Sequence, residues 1–207
     1  MAVVDMAQLI RMEKNDENLP YGVVISGVLK RGDSRYVMIR KRHAKDLIEN
    51  AVVATDSYSK TERIKHMYDG ISCVVETDIR KCIEKLDASE CDAVFVLLED
   101  IKAARLHNSF LYRYTIMDYG ECVPVHGEGV YAMLTKGKKE AVRTARELSH
   151  KSTAECFEIE DDIISRVMQN VYVKTCDVYA RISSDRLEIY AAVSYTHLRA
   201  HETRGNL

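Results

Sequence analysis

Residues 71–98 read I-S-C-V-V-E-T-D-I-R-K-C-I-E-K-L-D-A-S-E-C-D-A-V-F-V-L-L. Three signals succeed one another in this stretch. Ile71 to Val75 is a short run rich in β-branched residues, as a strand requires. Thr77 to Leu86 carries Ile79, Cys82, Ile83 and Leu86 at the i, i+3, i+4, i+7 spacing that gathers apolar side chains on one helix face. Ala93 to Leu98 is apolar throughout, as in a central strand covered on both faces. Strand, helix and strand in that order make a crossover between parallel strands, so the stretch specifies an α/β fold.

The pattern extends outward. Val23 to Leu29, Tyr36 to Ile39 and Ala51 to Ala54 read as strands, Ser59 to Tyr68 and Asp100 to Leu106 as helices. Residues 36–106 therefore read β, β, α, β, α, β, α, which predicts a mostly parallel sheet with helices on both faces. From about residue 138 the texture changes. Glu140 to Leu148 and Ser152 to Met168 read as helices, the second opened by the capping box Ser152-Thr153-Ala154-Glu155 with Ser152 as N-cap. Val171 to Ile182 and Arg186 to Val193 alternate across S-S-D and predict an antiparallel hairpin, giving an α+β unit.

Composition narrows the function classes. The chain has 207 residues, enough for one large domain or two small ones. Its 30 Lys+Arg against 32 Asp+Glu give a net charge of -2, which argues against a nucleic-acid or membrane-surface binder. No apolar run approaches the about 18 residues of a membrane span. The first residues lack the basic and apolar regions of a signal peptide. Six cysteines without a C-x-x-C argue against a zinc site or a disulfide framework, and predict a reducing, cytoplasmic setting. His197 and His201 are four apart, a metal-binding spacing on a helix, but no third ligand accompanies them, so no metal is expected.

Three places carry chemistry. In the strand-to-helix turn Ala54-Thr55-Asp56-Ser57-Tyr58-Ser59-Lys60, the hydroxyls, helix-start amides and Lys60 suit an anionic group. Without other information, plain N-capping by Asp56 or Ser57 is the favoured reading of the same residues. In Val125-His126-Gly127-Glu128-Gly129-Val130 the two glycines indicate close backbone approach, without the third glycine of a dinucleotide fingerprint. In Lys174-Thr175-Cys176-Asp177-Val178 a cysteine two residues from a lysine is either a nucleophile of lowered pKa or an inert half-buried thiol.

The order of five motifs resembles hydroxymethylbilane synthase, also called porphobilinogen deaminase, over about residues 8–193. L-P-Y-G-V-V-I-S-G-V-L-K-R-G-D-S-R (19–35) is similar to the family's L-P-x-G-L-V-I-x-A-V-L-x-R-E-D-P-R-D. A-V-V-A-T-D-S-Y-S-K (51–60) is similar to V-G-T-S-S-L-R-R, and I-E-K-L-D-A-S-E-C-D-A-V-F-V (83–96) to R-K-L-D-x-G-E-Y-D-A-I-V-L. V-P-V-H-G-E-G-V-Y-A-M (123–133) resembles L-P-A-V-G-Q-G-A-L-A-I. L-S-H-K-S-T-A-E-C-F-E-I-E (148–160) resembles L-N-H-x-E-T-x-x-C-V-x-A-E.

The resemblance implies a type II periplasmic-binding-protein-like α/β domain, a remnant of its partner domain and a small α+β C-terminal domain. In residue ranges it implies a first-domain remnant at 1–30, a second α/β domain at 31–117, a return segment at 118–137, a cofactor-attachment domain at 138–193 and a non-native tail at 194–207. That tail opens S-Y-T-H-L-R-A-H-E-T, which reads like translated sequencing adapter, and it is set aside. The family joins four porphobilinogen units with release of ammonia in porphyrin synthesis. It is primed by a dipyrromethane cofactor on a cysteine, here Cys176, although its flanking glycines are missing and about five residues are inserted before it. Thr55, Ser57, Lys60, Gly127 and Gly129 fall on the remaining cofactor-binding motifs. Porphobilinogen is then the partner, with no nucleic acid and no membrane, and the protein a cytoplasmic monomer.

The departures are as informative. A-V-H-S-M-K-D-x-P, which holds the family's catalytic carboxylate, falls on Gln8 to Asp16. Lys14 stands at the acid's position, and Asp16 is its nearest substitute. A lysine has the wrong sign to stabilise positive charge on pyrrole intermediates. Ser59 and Lys60 replace a paired arginine, and Glu76, Asp78, Ala154 and Asp161 occupy positions where the family has Arg or Asn. The chain is expected to be inactive as given. The alternative is a non-catalytic ligand-binding or regulatory descendant of the fold. A ligand-binding domain of a transcription regulator is disfavoured by the lack of a helix-turn-helix pattern.

Overall fold

The computed structural model describes residues 1–44 and 50–195. The elements in chain order are β1 (Ala2–Asp5), α1 (Met6–Lys14), β2 (Val24–Val28), β3 (Tyr36–Lys41), β4 (Val52–Thr55), α2 (Tyr58–Met67), β5 (Ser72–Val75) and α3 (Ile79–Asp87). They continue with β6 (Ala93–Leu97), α4 (Leu98–Ala103), β7 (Tyr112–Ile116), β8 (Tyr131–Thr135), α5 (Lys139–Leu148), α6 (Lys151–Val167), β9 (Val173–Ser183) and β10 (Arg186–Tyr195).

The α/β expectation holds. A five-stranded sheet has the order β5-β4-β6-β3-β7. β4 pairs parallel with β5 and β6, whereas β3 is antiparallel to β6 and β7, so one strand runs against the other four. The departure from the parallel pattern has a simple origin. β3 enters directly from β2 without a crossover helix, so nothing turns it to match its neighbours. Period-two alternation divides the core. Val37, Ile39, Ala54, Val94 and Val96 face Cys82, Ile83 and Leu86 of α3 and Ile101 of α4. Tyr36, Met38, Val53, Phe95 and Leu97 face Ile64 of α2. β6 is buried along its whole length, as its continuous apolar run requires.

A second, three-stranded sheet has β8 between β1 and β2, antiparallel to both. The chain thus leaves this sheet after β2, builds the larger one, and returns along residues 117–130 to fill its centre. Met6 and Leu9 of α1 pack with Ala132, Leu134 and Phe157 on one face of it. β1, α1, β7 and β8 are absent from the sequence reading. For α1 the signal existed: Asp5 caps it by accepting from the Gln8 amide at 2.9 Å, ahead of apolar Met6, Leu9 and Ile10.

The third layer is α6 beneath the β9–β10 hairpin. Ser184 and Asp185 both have positive φ, as a tight two-residue hairpin turn demands. β10 continues two residues past Val193, with Ser194 opposite Thr175, while His197 and His201 lie outside the described residues. The expected capping box is not formed. α6 begins at Lys151, and its N-cap is His150, whose Nδ1 accepts from the Thr153 amide at 3.2 Å. The helix starts two residues earlier than the capping box places it, with the imidazole on its own N3 amide, so Ser152 sits inside the first turn.

Arg31 locks this layer to the rest. Its guanidinium forms two bonds to Glu160, at 2.5 and 2.9 Å, and a third to the Ala180 carbonyl at 3.2 Å. Glu160 is fully buried and also accepts from the Ala180 amide at 2.6 Å. Removing one partner leaves the other charge buried and unpaired. Urea denaturation of Glu160→Ala is expected to show a loss of about 3–5 kcal/mol, with the Arg31→Met, Glu160→Leu double variant losing less than the single change.

Candidate functional site

Lys14 ends α1, the 59/62/63/66 face of α2 lies beside it, and β9 closes the far wall. Together they enclose a cavity of about 370 Å³ lined by Lys14, Ser59, Arg63, His66, Cys176 and Asp177, among others. Arg63 Nη2 pairs with Asp177 Oδ2, while Asp177 Oδ1 accepts from the His126 amide at 3.1 Å. Asp177 is therefore clamped from two elements, which fixes the neighbouring Cys176 at the cavity wall. Sequence reasoning missed Arg63 and His66. Their signal was the spacing of 59, 62, 63 and 66, one face of one helix.

Of the two readings of Cys176, a nucleophile of lowered pKa or a half-buried thiol, the structure favours the buried thiol. The side chain is buried, with 7% exposure. Burial, and then the carboxylate of Asp177, push its pKa up. Lys174 lines the same cavity but does not reverse this. At neutral pH the thiol is protonated.

The other candidate residues gather at a second centre. Lys60 is 3% exposed, its Nζ 2.7 Å from both oxygens of Asp56 and 3.9 Å from Glu128 Oε1. Burial disfavours the ammonium, but Glu128 and Asp56 outweigh it and hold the Lys60 pKa above its usual value. Burial likewise pushes Glu128 up to about 7, and the Lys60 charge only partly opposes this. The N-capping alternative fails in detail: Ser57 is the N-cap of α2 but makes no capping bond, and Asp56 turns to Lys60 instead. Thr55 is fully buried, and Ser57 Oγ lies 3.1 Å from Ser59 Oγ.

Gly127 and Gly129 have φ of 85° and 72°. A Cβ on Gly127 would stand 2.9 Å from the Ala7 amide nitrogen, and one on Gly129 would collide with the Ser34 hydroxyl. The close approach read from G-x-G is thus to protein atoms. It brings Glu128 to Lys60 and the His126 amide to Asp177. Neither glycine, nor Thr55, Ser57 or Lys60, lines the Cys176 cavity. Asp16 lies in an exposed turn after α1, with φ of 58°, and does not reach the cavity either.

Residues 11–144 match the family model described as porphobilinogen deaminase, dipyromethane cofactor binding domain. The chain belongs to the porphobilinogen deaminase family. It is 24% identical over 181 residues to porphobilinogen deaminase of Chlorobium luteolum, covering 86% of this chain and 56% of that protein. It is 25% identical over 142 residues to the probable enzyme of Picrophilus torridus, covering 68% and 49%. The chain spans about half the length of the curated relatives it matches. Cys176 lies beyond the residues matched by the family model. Among solved structures, a substrate-binding protein of an amino acid ABC transporter is similar at 16% identity and TM-score 0.43, covering 81% of this chain and 78% of that one. The Bordetella pertussis BvgS VFT2 domain is similar at 14% and 0.43, covering 73% and 72%. No described helix is long and apolar enough to cross a membrane.

Glu128 generates a pH prediction. Its folded pKa is raised from 4.5 to about 7, so the folded state retains a proton that the unfolded chain has released. Its contribution to stability is full below pH 4.5 and is lost as pH rises through 7. In urea denaturation across that window, Glu128→Gln is expected to gain on the wild type as pH rises.

Proposed function

We propose that this chain is part of a hydroxymethylbilane synthase-type protein of tetrapyrrole synthesis, with Cys176 as the attachment residue for dipyrromethane. One observation carries the reading. Lys14, at the position of the family's catalytic carboxylate, and Cys176, at that of its cofactor cysteine, line one cavity although 162 positions separate them in the sequence.

The cavity chemistry fits a carboxylated pyrrole. Lys14, His66, Lys174 and Arg63 converge there against two acids, Glu62 and Asp177, of which Asp177 is neutralised by Arg63. Cationic side chains of this kind hold acetate and propionate groups. When bound, dipyrromethane supplies the pyrrole end that incoming porphobilinogen extends. Thr55, Ser57, Lys60, Gly127 and Gly129 take part as positioning residues. Lys60 anchors Glu128, and the glycines let the His126 amide reach Asp177, which holds Cys176 in place.

Turnover is a different matter. The family reaction develops positive charge on the pyrrole, and an ammonium at Lys14 opposes that charge where a carboxylate would stabilise it. The single attachment at Cys176, in which the thioether bond forms as the pyrrole's amine leaves as ammonia, is the one condensation the chain undergoes; it then binds carboxylated pyrroles without extending the attached group, which favours the ligand-binding alternative for this chain. Two measurements test this. Intact-protein mass spectrometry after expression in cells that make tetrapyrroles is expected to show a dipyrromethane adduct that Cys176→Ser removes. An unmodified thiol overturns the attachment assignment. Calorimetric titration with porphobilinogen is expected to show saturable binding without ammonia release beyond that attachment, weakened about tenfold by Lys14→Glu. Ammonia release at an enzymatic rate overturns the inactive reading.

A further inference from the structure

A second cavity, of about 500 Å³, lies where α1, β2 and α6 meet, and it shares no lining residue with the one around Cys176. Its floor is apolar: Met6, Leu9 and Ile10 of α1, then Leu19, Ile25 of β2 and Phe157 of α6 line it. All of these except Ile25 belong to the core cluster under the three-stranded sheet, so the floor is continuous with that core. A close-packed interior leaves no void of this size, whereas small-molecule sites have such volumes.

The walls are fixed by contacts of the protein itself. Asp16 has φ of 58°, the Glu17 amide donates to the Met12 carbonyl at 2.9 Å, and the Asp16 amide donates to the Glu13 carbonyl at 3.1 Å. These two bonds are the Schellman ending of α1. They turn the chain back, so that Glu17, Asn18 and Leu19 line the same cavity as Glu13. On α6, the Phe157 ring is stacked on His126, with ring centres 4.9 Å apart.

Charge sets this cavity apart from its surroundings. Glu13, Glu17 and Asp161 line it, and no lysine, arginine or histidine is among its lining residues. All three acids are exposed, and none forms an ion pair among the described residues. Elsewhere on α6 the acids are matched: Glu155 pairs with Lys151, Glu160 with Arg31 and Asp162 with Arg166. The cavity thus joins an apolar floor to three carboxylates without a counter-ion. Their summed field favours a cation and repels an anion, and the aromatic wall adds to the attraction. A neutral apolar ligand would fill the floor and leave the acids unmatched.

We infer that this cavity binds an amphiphilic organic cation, a small amine whose hydrocarbon body fills the floor and whose ammonium meets Glu13, Glu17 and Asp161. The inference does not depend on the reading of the Cys176 cavity.

Calorimetric titration of the whole chain at constant ionic strength tests it with three probes of one chain length: octylamine, protonated at neutral pH, octanol and octanoate. Octylamine is expected to saturate a single site and to bind about tenfold tighter than octanol, which corresponds to about 1.4 kcal/mol, with octanoate weakest. The triple change Glu13→Gln, Glu17→Gln, Asp161→Asn is expected to bring the amine to the level of the alcohol. The triple change Asp69→Asn, Glu84→Gln, Glu140→Gln removes the same charge from exposed positions elsewhere and is expected to leave the preference intact. Ile25→Trp, at an exposed position of the lining, is expected to abolish binding of amine and alcohol alike at an unchanged urea midpoint, which separates a filled cavity from lost folding. Equal binding of amine and alcohol, equal weakening by the two triple changes, or amine binding untouched by Ile25→Trp would overturn the proposal.

Discussion

The bidentate pair between Arg31 and Glu160 is the contact that makes three layers one molecule. Arg31 lies in the connection between the two sheets, Glu160 in the middle of α6, and the Ala180 backbone that both touch is part of β9. Both charges are removed from water, and such a pair persists because both carboxylate oxygens and both terminal guanidinium nitrogens are bonded at once. Ala180 is four residues along β9 from Cys176, so fixing it constrains the strand that carries the thiol. The Arg63–Asp177 contact then sets the other end of the same strand against α2. The Cys176 cavity exists because β9 is pinned at both places.

Buried charge also explains which cations remain for ligands. Lys60 stood closest to a family anion site, yet two carboxylates hold it inside the protein. About one and two turns further along α2, Arg63 and His66 line the Cys176 cavity, which Lys60 does not. The cavity is thus rebuilt with basic groups supplied from α1, α2 and β9 in place of the arginines that the family motif would supply. This is how a chain with a net charge of -2 presents a locally basic wall. The sign of Lys14 separates holding an anion from stabilising a developing cation, so binding and turnover need not go together.

Legibility in the sequence tracked how local each interaction is. The helix at Ile79–Asp87 and the strand at Ala93–Leu97 were readable because their burial faces repeat at 3.6 and 2 residues. The hairpin was readable from the alternation on either side of S-S-D. β8 was not, because its place between β1 and β2 depends on partners more than 100 residues away in the chain. The reversed direction of β3 and the imidazole cap on α6 were hidden for a related reason: direction and capping geometry are set by what precedes an element in space. At the site, Cys176 and Lys14 were picked out by motif order, whereas Arg63 and His66 gain meaning only beside β9.

Residue order alone therefore determined the α/β class, the family and the position of the thiol, since periodicity and motif spacing are properties of the chain itself. Tertiary structure decided which charges are free. Lys60 and Lys14 are the same side chain; Asp56 is a local partner four residues before Lys60, but Glu128 lies 68 positions away in the chain. Lys60 is neutralised because folding sets Asp56 and Glu128 against it, and Lys14 faces a cavity because α1 ends where β9 passes. Electrostatic roles depend on distance and desolvation, and both are settled only when distant segments pack together.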